Sequence, residues 1–439
     1  MTTDPAAAAR ITPHPAPARP APLTVEESRL TEPLTTGGPA LAAEVLRVSG
    51  FDVLVAELTD RLVHASSLAE LTSAVQESGA RLWTAAVDRA QGRSSEGDLD
   101  PYDDRPLYWA RTSLSATLRR LDSPHLAVQH QRLGLLRLLD RAARGISRPS
   151  TGSGSEAGSR NEAGSGHGWW PDERPGDLRV MVSGFDVFGL DQSVRHSNPS
   201  GAAALQLDGL RVSTVDGDAL FRAVVLPVSY SDFDQGVVED AYGPVLGPGP
   251  DRADLITTIS MTSRGRMDVE RWAANARGGT PDNQRDQHFG AVARASHWPQ
   301  PFDSPDWIET TLPYAAMAAA GTGPWPVVLK QGIREWPAGT FPDPTALVER
   351  PDPSPGSTAA AGTGGDYLSN ESMYRSNRLR QALHAWDVPG GHLHISALEY
   401  PEDPTLITDD AFEADRRAVV DQTVALVAAA AAAVARSRG

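Results

Sequence analysis

Apolar positions along this chain fall into two regimes, separated by a stretch that has few of them. Between Glu26 and about Gly145 they recur every three or four residues: Leu41, Val45, Leu46 and Val48, then Leu54, Leu58, Leu62 and Val63. That is the period of an amphipathic helix, one face of which must be covered. The same rhythm predicts helices over Leu68–Ala90, Tyr108–Leu121 and His125–Ala143, with the polar run Ser94–Arg105 as a loop. No chemical motif appears in this region, so its expected role is packing, oligomerisation or partner binding. Thr151–Gly168 (TGSGSEAGSRNEAGSGHG) then breaks the pattern and reads as a flexible Gly/Ser linker. Beyond it, short apolar runs predict strands at Leu178–Ser183, Leu220–Val228, Ala253–Ser260, Trp325–Gln331 and His392–Leu398. Helical patterns lie between them at Asp232–Tyr242, Glu371–Trp386 (Leu379, Leu383 and Trp386 on one face) and Phe412–Arg436. Strands alternating with helices argue for an α/β domain with a largely parallel central sheet sandwiched by helices, preceded by an all-α N-terminal region. The expected organisation is a disordered Pro/Ala tail over 1–24, a helical region over 25–148, a linker over 149–176 and the α/β domain over 177–439.

Charge and composition narrow the chemistry. The net charge of −16 disfavours partners whose binding depends on a Lys/Arg surplus, so neither nucleic acid nor an anionic membrane is expected. There is no cysteine, which removes disulfides, thiolate zinc sites and a cysteine nucleophile together. Met1–Pro22 lacks the apolar run of a secretory signal. The most apolar stretch, Val424–Ala435, is about 12 residues against the ~20 that a membrane span needs. A cytoplasmic protein is expected. His392 and His394 share a strand face, but no third ligand stands near them, so no metal and no other cofactor is anticipated.

Four segments carry candidate chemistry, in this order: Val182–Gly189 (VSGFDVFG) with Asn198-Pro199-Ser200; Val269–Asn283 (VERWAANARGGTPDN); Gly364–Asn370 (GGDYLSN); and Leu393–Pro401 (LHISALEYP). A short TTLP at Thr310–Pro313 falls between the second and third. Together they resemble the pyroglutamyl peptidase I (pyrrolidone-carboxylate peptidase) family of cysteine peptidases, from about Asp177 to the end. The resemblance implies that family's phosphorylase-like α/β sandwich. It also implies an exopeptidase that removes an N-terminal pyroglutamyl or related cyclic acyl group from a small peptide with a blocked N-terminus. By motif, the orienting glutamate falls on Glu270, the nucleophile on Ser369 in place of the family's cysteine, and the base on His394. Phe185 and Phe188 would flank the flat lactam ring. Family members are often homo-oligomers, an assembly that the helical region is placed to preserve, replace or block.

The departures from the family pattern concern the same site. A serine hydroxyl is a far weaker nucleophile than a thiol and needs a well-aligned base and oxyanion donors. The family's substrate-site glutamine falls on Ser260. The segment from Glu270 to Pro281 is one residue shorter, so its oxyanion-supporting arginine lands in Gly278-Gly279, with Arg277 as the nearest substitute. A Pro/Gly-rich insertion between Pro313 and Gly364 is expected to form a surface excursion near the site.

The plain structural readings are a helix N-cap for Ser369, a solvated pair of Glu270 with Arg271, and core packing for Phe185 and Phe188. Asn198-Pro199-Ser200 and Asp282-Asn283 read as turns, the former capping a helix, and Trp169-Trp170 as a pair tucked onto the domain edge. Two functions of different class follow: a serine-dependent pyroglutamyl-peptidase-like hydrolase, or a catalytically silent relative that binds or scaffolds.

Overall fold

A computed structural model describes residues 20–126, 128–147, 169–170, 173–214 and 216–438. The proposed linker Thr151–Gly168 and the first nineteen residues of the tail lie outside them. Residues at the end of the tail are engaged. The Ala21 N–H donates to the Arg119 carbonyl, and Thr24 with Glu27 forms a capping box on α1 (Val25–Ser28).

The helical region comprises α2 (Leu41–Ser49), α3 (Phe51–Val63), α4 (Leu68–Ala90), α5 (Arg105–Arg120) and α6 (Gln129–Ala143). The apolar rhythm runs through residue 50, yet the chain turns there because Gly50 adopts a left-handed φ of 76°. Ser67 caps α4 by accepting from the Glu70 N–H.

The second half is built on a seven-stranded sheet. Its strands include β1 (Leu178–Phe185), β2 (Arg211–Thr214), β3 (Gly217–Leu226), β4 (Leu255–Met261) and β5 (Met267–Glu270). Across the sheet the order is Val327–Lys330, β5, Gly390–Ile395, β4, β1, β3, β2. Neighbours run parallel except at two steps, β5 against Gly390–Ile395 and β2 against β3. The fold is therefore the expected one: a largely parallel sheet flanked by helices, with an all-helical N-terminal region.

Alternation along β1 shows how the sheet is covered. Val180 and Val182 enter a core shared with α12 (Asp410–Arg438) and with the N-terminal helices. Met181 and Phe185 enter a second core that includes Tyr230 and Phe233 of α8 (Tyr230–Asp234), Val237 and Tyr242 of α9 (Val237–Leu246), and Leu368 and Leu379 of α11 (Leu368–Ala382). Gly236 (φ 82°) separates α8 from α9, where the sequence pattern runs as one helix. Trp386, expected on the buried face of α11, lies beyond the helix and is 62% exposed.

α12 is by length and composition apolar enough to cross a membrane, whereas its longest run of apolar residues is short. Its apolar residues Val419, Leu426, Val427, Ala430 and Val434 are buried in the first core, which accounts for that composition. The insertion after Pro313 is ordered. It holds α10 (Tyr314–Ala319), the edge strand Val327–Lys330, and a separate three-stranded antiparallel sheet of Ile333–Trp336, Val348–Arg350 and Thr358–Ala361.

The helical region and the α/β half share one continuous core, and polar contacts lock the joint. Trp83 Nε1 donates to Asp208 at 2.9 Å. Gln91 Nε2 donates to the carbonyls of Leu205, Gln206 and Asp208, the end of α7 (Pro199–Leu207), as a C-terminal cap from outside. Arg416 pairs with Asp100 at 2.7 Å and with Asp103 at 2.9 Å, all three buried. Trp170 is buried, and its Nε1 donates to the Asp251 carbonyl.

Candidate active site

Three segments that are distant in sequence are tied together by side-chain-to-backbone bonds. Asn198 caps α7 by accepting from the Ser200 N–H, and its Nδ2 donates to the Asp186 carbonyl. Ser200 Oγ accepts from the Phe185 N–H at 3.0 Å. The Asn-Pro-Ser turn thus fixes the loop that leaves β1. Asn283 Nδ2 donates to the Val187 carbonyl in that loop, while Asp282 Oδ2 accepts from the Tyr230 N–H. Asn370, in the first turn of α11, accepts from the Ala274 N–H at 2.8 Å and donates to the Ala274 carbonyl at 2.9 Å. The strand following Glu270 is thereby bound to the helix that carries Ser369.

These ties bound a half-open cavity with about 370 Å³ of empty space, lined by Phe185, Phe188, Ser260, Met261, Tyr367, Leu368 and Ser369, with Asn198 and Val228. It lies at the carboxyl end of β1 and β4, the usual ligand position in an open α/β sheet. Four of the residues singled out from sequence, Phe185, Phe188, Ser260 and Ser369, meet here. Phe185 is also a core residue, stacked on Phe233 with ring centroids 6.1 Å apart. Ser369 is not an N-cap. It is the second residue of α11, whose cap position is Tyr367, and no side chain caps that end. Glu371 donates its N–H to the Tyr367 carbonyl, and the N–H groups of Leu368, Ser369 and Asn370 have no hydrogen-bond partner among the described residues.

His394 stands level with Ser260 on the neighbouring strand. Its Nδ1 is 2.5 Å from Glu270 Oε1, both groups being buried. An ionised carboxylate only accepts, so the bond places the proton on Nδ1 and leaves the Nε2 lone pair free. Glu270 Oε2 is buried without a hydrogen-bond partner among the described residues. Glu270 does not pair with Arg271, which bonds Glu309 and Asp352 instead. Gly364 closes over the pair: a Cβ there would lie 3.0 Å from His394 Cε1 and 3.3 Å from Glu270 Cδ. No hydrogen bond joins Ser369 Oγ to His394 among the described residues; the hydroxyl lines the cavity, and the Glu270–His394 pair lies one strand beyond Ser260 of its wall.

Arg277 is not among the residues that line the cavity. It is buried in an ion network, donating through Nε and Nη2 to Glu371 at 2.7 and 2.6 Å and to Asp234 at 2.5 Å. Burial opposes its charge, but Glu371 and Asp234 hold its pKa above the ordinary arginine value.

His392 is a component that the sequence pattern placed but did not explain. Its Nε2 is 2.8 Å from Ser260 Oγ and its Nδ1 2.7 Å from Thr258 Oγ1. Burial, with the adjacent His394, pushes its pKa well below the ordinary value, so it is neutral. Both nitrogens are occupied by hydroxyls, which answers the metal-pair reading of the two histidines. Alternation along the strand put them on one face, but hydroxyl partners supplied by β4 were not visible from spacing.

A buried Glu–His pair thus lies one strand from a small cavity at the carboxyl end of a largely parallel sheet, in an α/β half joined to a helical region. The chain matches the PA0049 N-terminal domain over residues 6–140 and the PA0049 C-terminal domain over residues 179–296 and 326–399. It is 32% identical to the uncharacterized protein PA0049 of Pseudomonas aeruginosa, over 93% of this chain and 89% of that protein. It belongs to the PA0049 family. Among solved structures, pyroglutamyl peptidase I of Bacillus amyloliquefaciens aligns with 58% of this chain and 98% of its own, at 19% identity and a TM-score of 0.39.

Proposed function

We propose that the cavity is the acyl-transfer site of a serine-dependent hydrolase that removes an N-terminal pyroglutamyl or related cyclic acyl group from a peptide. The observation that carries this reading is the buried 2.5 Å Glu270–His394 bond, one strand from a cavity that contains Ser369 and two phenylalanines. Phe185 and Phe188 offer apolar faces to a flat ring. Ser369 Oγ attacks the acyl carbonyl carbon as its proton passes to His394 Nε2, and Glu270 stabilises the imidazolium. The free N–H groups at the start of α11 are the candidate donors to the oxyanion, aided by the helix dipole. His394 then protonates the leaving amine, and water, deprotonated by the same histidine, releases the acyl group from Ser369. Ser369 and His394 must approach on substrate binding, because catalytic hydrogen bonds often form only in the substrate complex.

Two observations favour the alternative of a catalytically silent binding module: Ser369 Oγ makes no hydrogen bond to His394 among the described residues, and Arg277 is committed to Glu371 and Asp234. Release of a fluorophore from a pyroglutamyl anilide separates the two readings. Activity in the native chain that Ser369→Ala abolishes supports the hydrolase. Activity that appears only in Ser369→Cys supports a surviving pocket without a working nucleophile. No activity in any of the three chains refutes the pyroglutamyl reading.

A further inference from the structure

Phe185 and Phe188, which line the cavity at Ser369, are separated by Asp186 and Val187. Both of those intervening residues engage the helical region. The Val187 side chain is buried in the core that also holds Leu107 and Tyr108 of α5. The Asp186 carboxylate is 4% exposed and meets two guanidinium groups. Arg111 Nη2 of α5 donates to its Oδ2 at 2.7 Å, and Arg144 Nη1, at the end of α6, donates to the same oxygen at 2.5 Å. A buried carboxylate is stable only where it is paired, so the seat of this loop depends on both helices.

The other anchors of the loop are backed from the same region. Asn198 Nδ2 donates to the Asp186 carbonyl at 2.8 Å. Asp104, the residue before α5, holds Asn198 by accepting from its N–H at 2.9 Å, and accepts from the adjacent Ser197 hydroxyl. Asn283 Nδ2 donates to the Val187 carbonyl at 2.8 Å. The Asn283 carbonyl accepts from Arg29 Nη1 at 2.6 Å, and its Nδ2 also reaches Glu26 of α1 at 3.3 Å. Each of the three anchors, the Asp186 carboxylate, Asn198 and Asn283, therefore ends on residues of the helical region.

We propose that the helical region is an intramolecular brace for the ring-binding loop, in which Arg111 and Arg144 are positioning residues that set Phe185 and Phe188 through Asp186. The proposal rests on the reading of that cavity as the acyl-binding site. Neither arginine lines the cavity, so each acts on a ligand through the loop alone. The separation and tilt of the two rings decide how a flat group is held, and small misplacements at a site have disproportionate effects.

Fluorine NMR of the full chain labelled with para-fluorophenylalanine tests the brace, with Asp186→Asn as the main variant. That change keeps the shape of the side chain and removes the charge on which the two guanidinium groups converge. Each line among the nine phenylalanines is assigned by replacing its residue with leucine. In Asp186→Asn the Phe185 and Phe188 lines should shift or broaden. The lines of Phe51, buried in the helical region, and of exposed Phe302 should stay in place. Arg111→Lys keeps the charge but not the planar fork, and should move the same two lines by a smaller amount. It carries the test if Asp186→Asn fails to fold. Where the native chain cleaves pyroglutamyl anilide, Asp186→Asn should raise KM about tenfold or more, with kcat changed less than about threefold. Unmoved Phe185 and Phe188 lines overturn the proposal, as does a uniform change in all nine or a fall in kcat at constant KM. A native chain without turnover refutes the hydrolase reading alone, since the fluorine lines report the brace without substrate.

Discussion

Asn370→Ala is a sharp perturbation of the frame that positions the site, and its size follows from the bonds it removes. The side chain is 2% exposed, accepts from the Ala274 N–H at 2.8 Å, and donates to the Ala274 and Ala276 carbonyls at 2.9 and 3.4 Å. The two short bonds contribute about 1 kcal/mol each, and removing the partner of a buried N–H costs about 1–3 kcal/mol. Replacing asparagine by alanine inside a helix returns up to roughly 0.7 kcal/mol of intrinsic propensity. The expected net loss is about 2 kcal/mol. Its neighbour Ser369 supplies the control, because the Ser369 hydroxyl makes no hydrogen bond among the described residues, and Ser369→Ala should change stability by less than about 0.5 kcal/mol. Urea unfolding followed by near-ultraviolet circular dichroism reads both. Amide hydrogen exchange adds a local signal, since the Ala274 N–H should lose protection in Asn370→Ala and keep it in Ser369→Ala. Equal midpoints for the two variants, or unchanged protection at Ala274, would refute the claim that Asn370 ties this strand to α11.

Gly362→Ala should be worse tolerated than an ordinary glycine replacement, because a Cβ would sit 2.4 Å from Asn370 Oδ1 and 2.5 Å from the Trp272 carbonyl oxygen. A loss of about 1–3 kcal/mol is expected in the same urea assay. Asp104, buried against Ser197 and the Asn198 N–H, has its pKa pushed up to about 7 by burial and by the neighbouring Asp103. Its folded pKa exceeds the unfolded one, so stability should fall as pH rises from about 4 to 7, and Asp104→Asn should flatten that slope in a pH series of urea midpoints. His392 acts in the opposite sense. Its folded pKa lies well below the ordinary value, so its contribution is complete above about pH 6.5 and is lost as pH falls below it. His392→Gln should reduce the loss of stability on acidification.

Much of this architecture was legible because burial imposes a period. The helix Leu68–Ala90 matches its apolar spacing end to end, and β1, β3 and β4 sit on the predicted apolar runs. Breaks that depend on one backbone angle, at Gly50 and Gly236, were hidden because glycine interrupts a helix without altering the apolar rhythm on either side. The insertion after Pro313 carries strands with little alternation, and its proline density resembles that of irregular loops. At the site, local motifs brought Phe185, Phe188, Ser260 and Ser369 to one cavity and paired Glu270 with His394. Arg277 escaped the same reading, because its partners Glu371 and Asp234 belong to other segments and a guanidinium follows the nearest buried carboxylate. The Ser260–His392 contact was likewise a matter of strand order, which periodicity does not encode.

The central claim is that Ser369 is the group that takes the acyl chain, in a cavity that also presents Ser260. Brief incubation with an activated pyroglutamyl ester, acid quench and peptide mapping by mass spectrometry tests this directly. The account predicts a pyroglutamyl adduct on the peptide that contains Ser369, absent in Ser369→Ala and longer-lived when His394→Ala removes the base for deacylation. An adduct on Ser260, or none on any residue while the ester is still turned over, would contradict it.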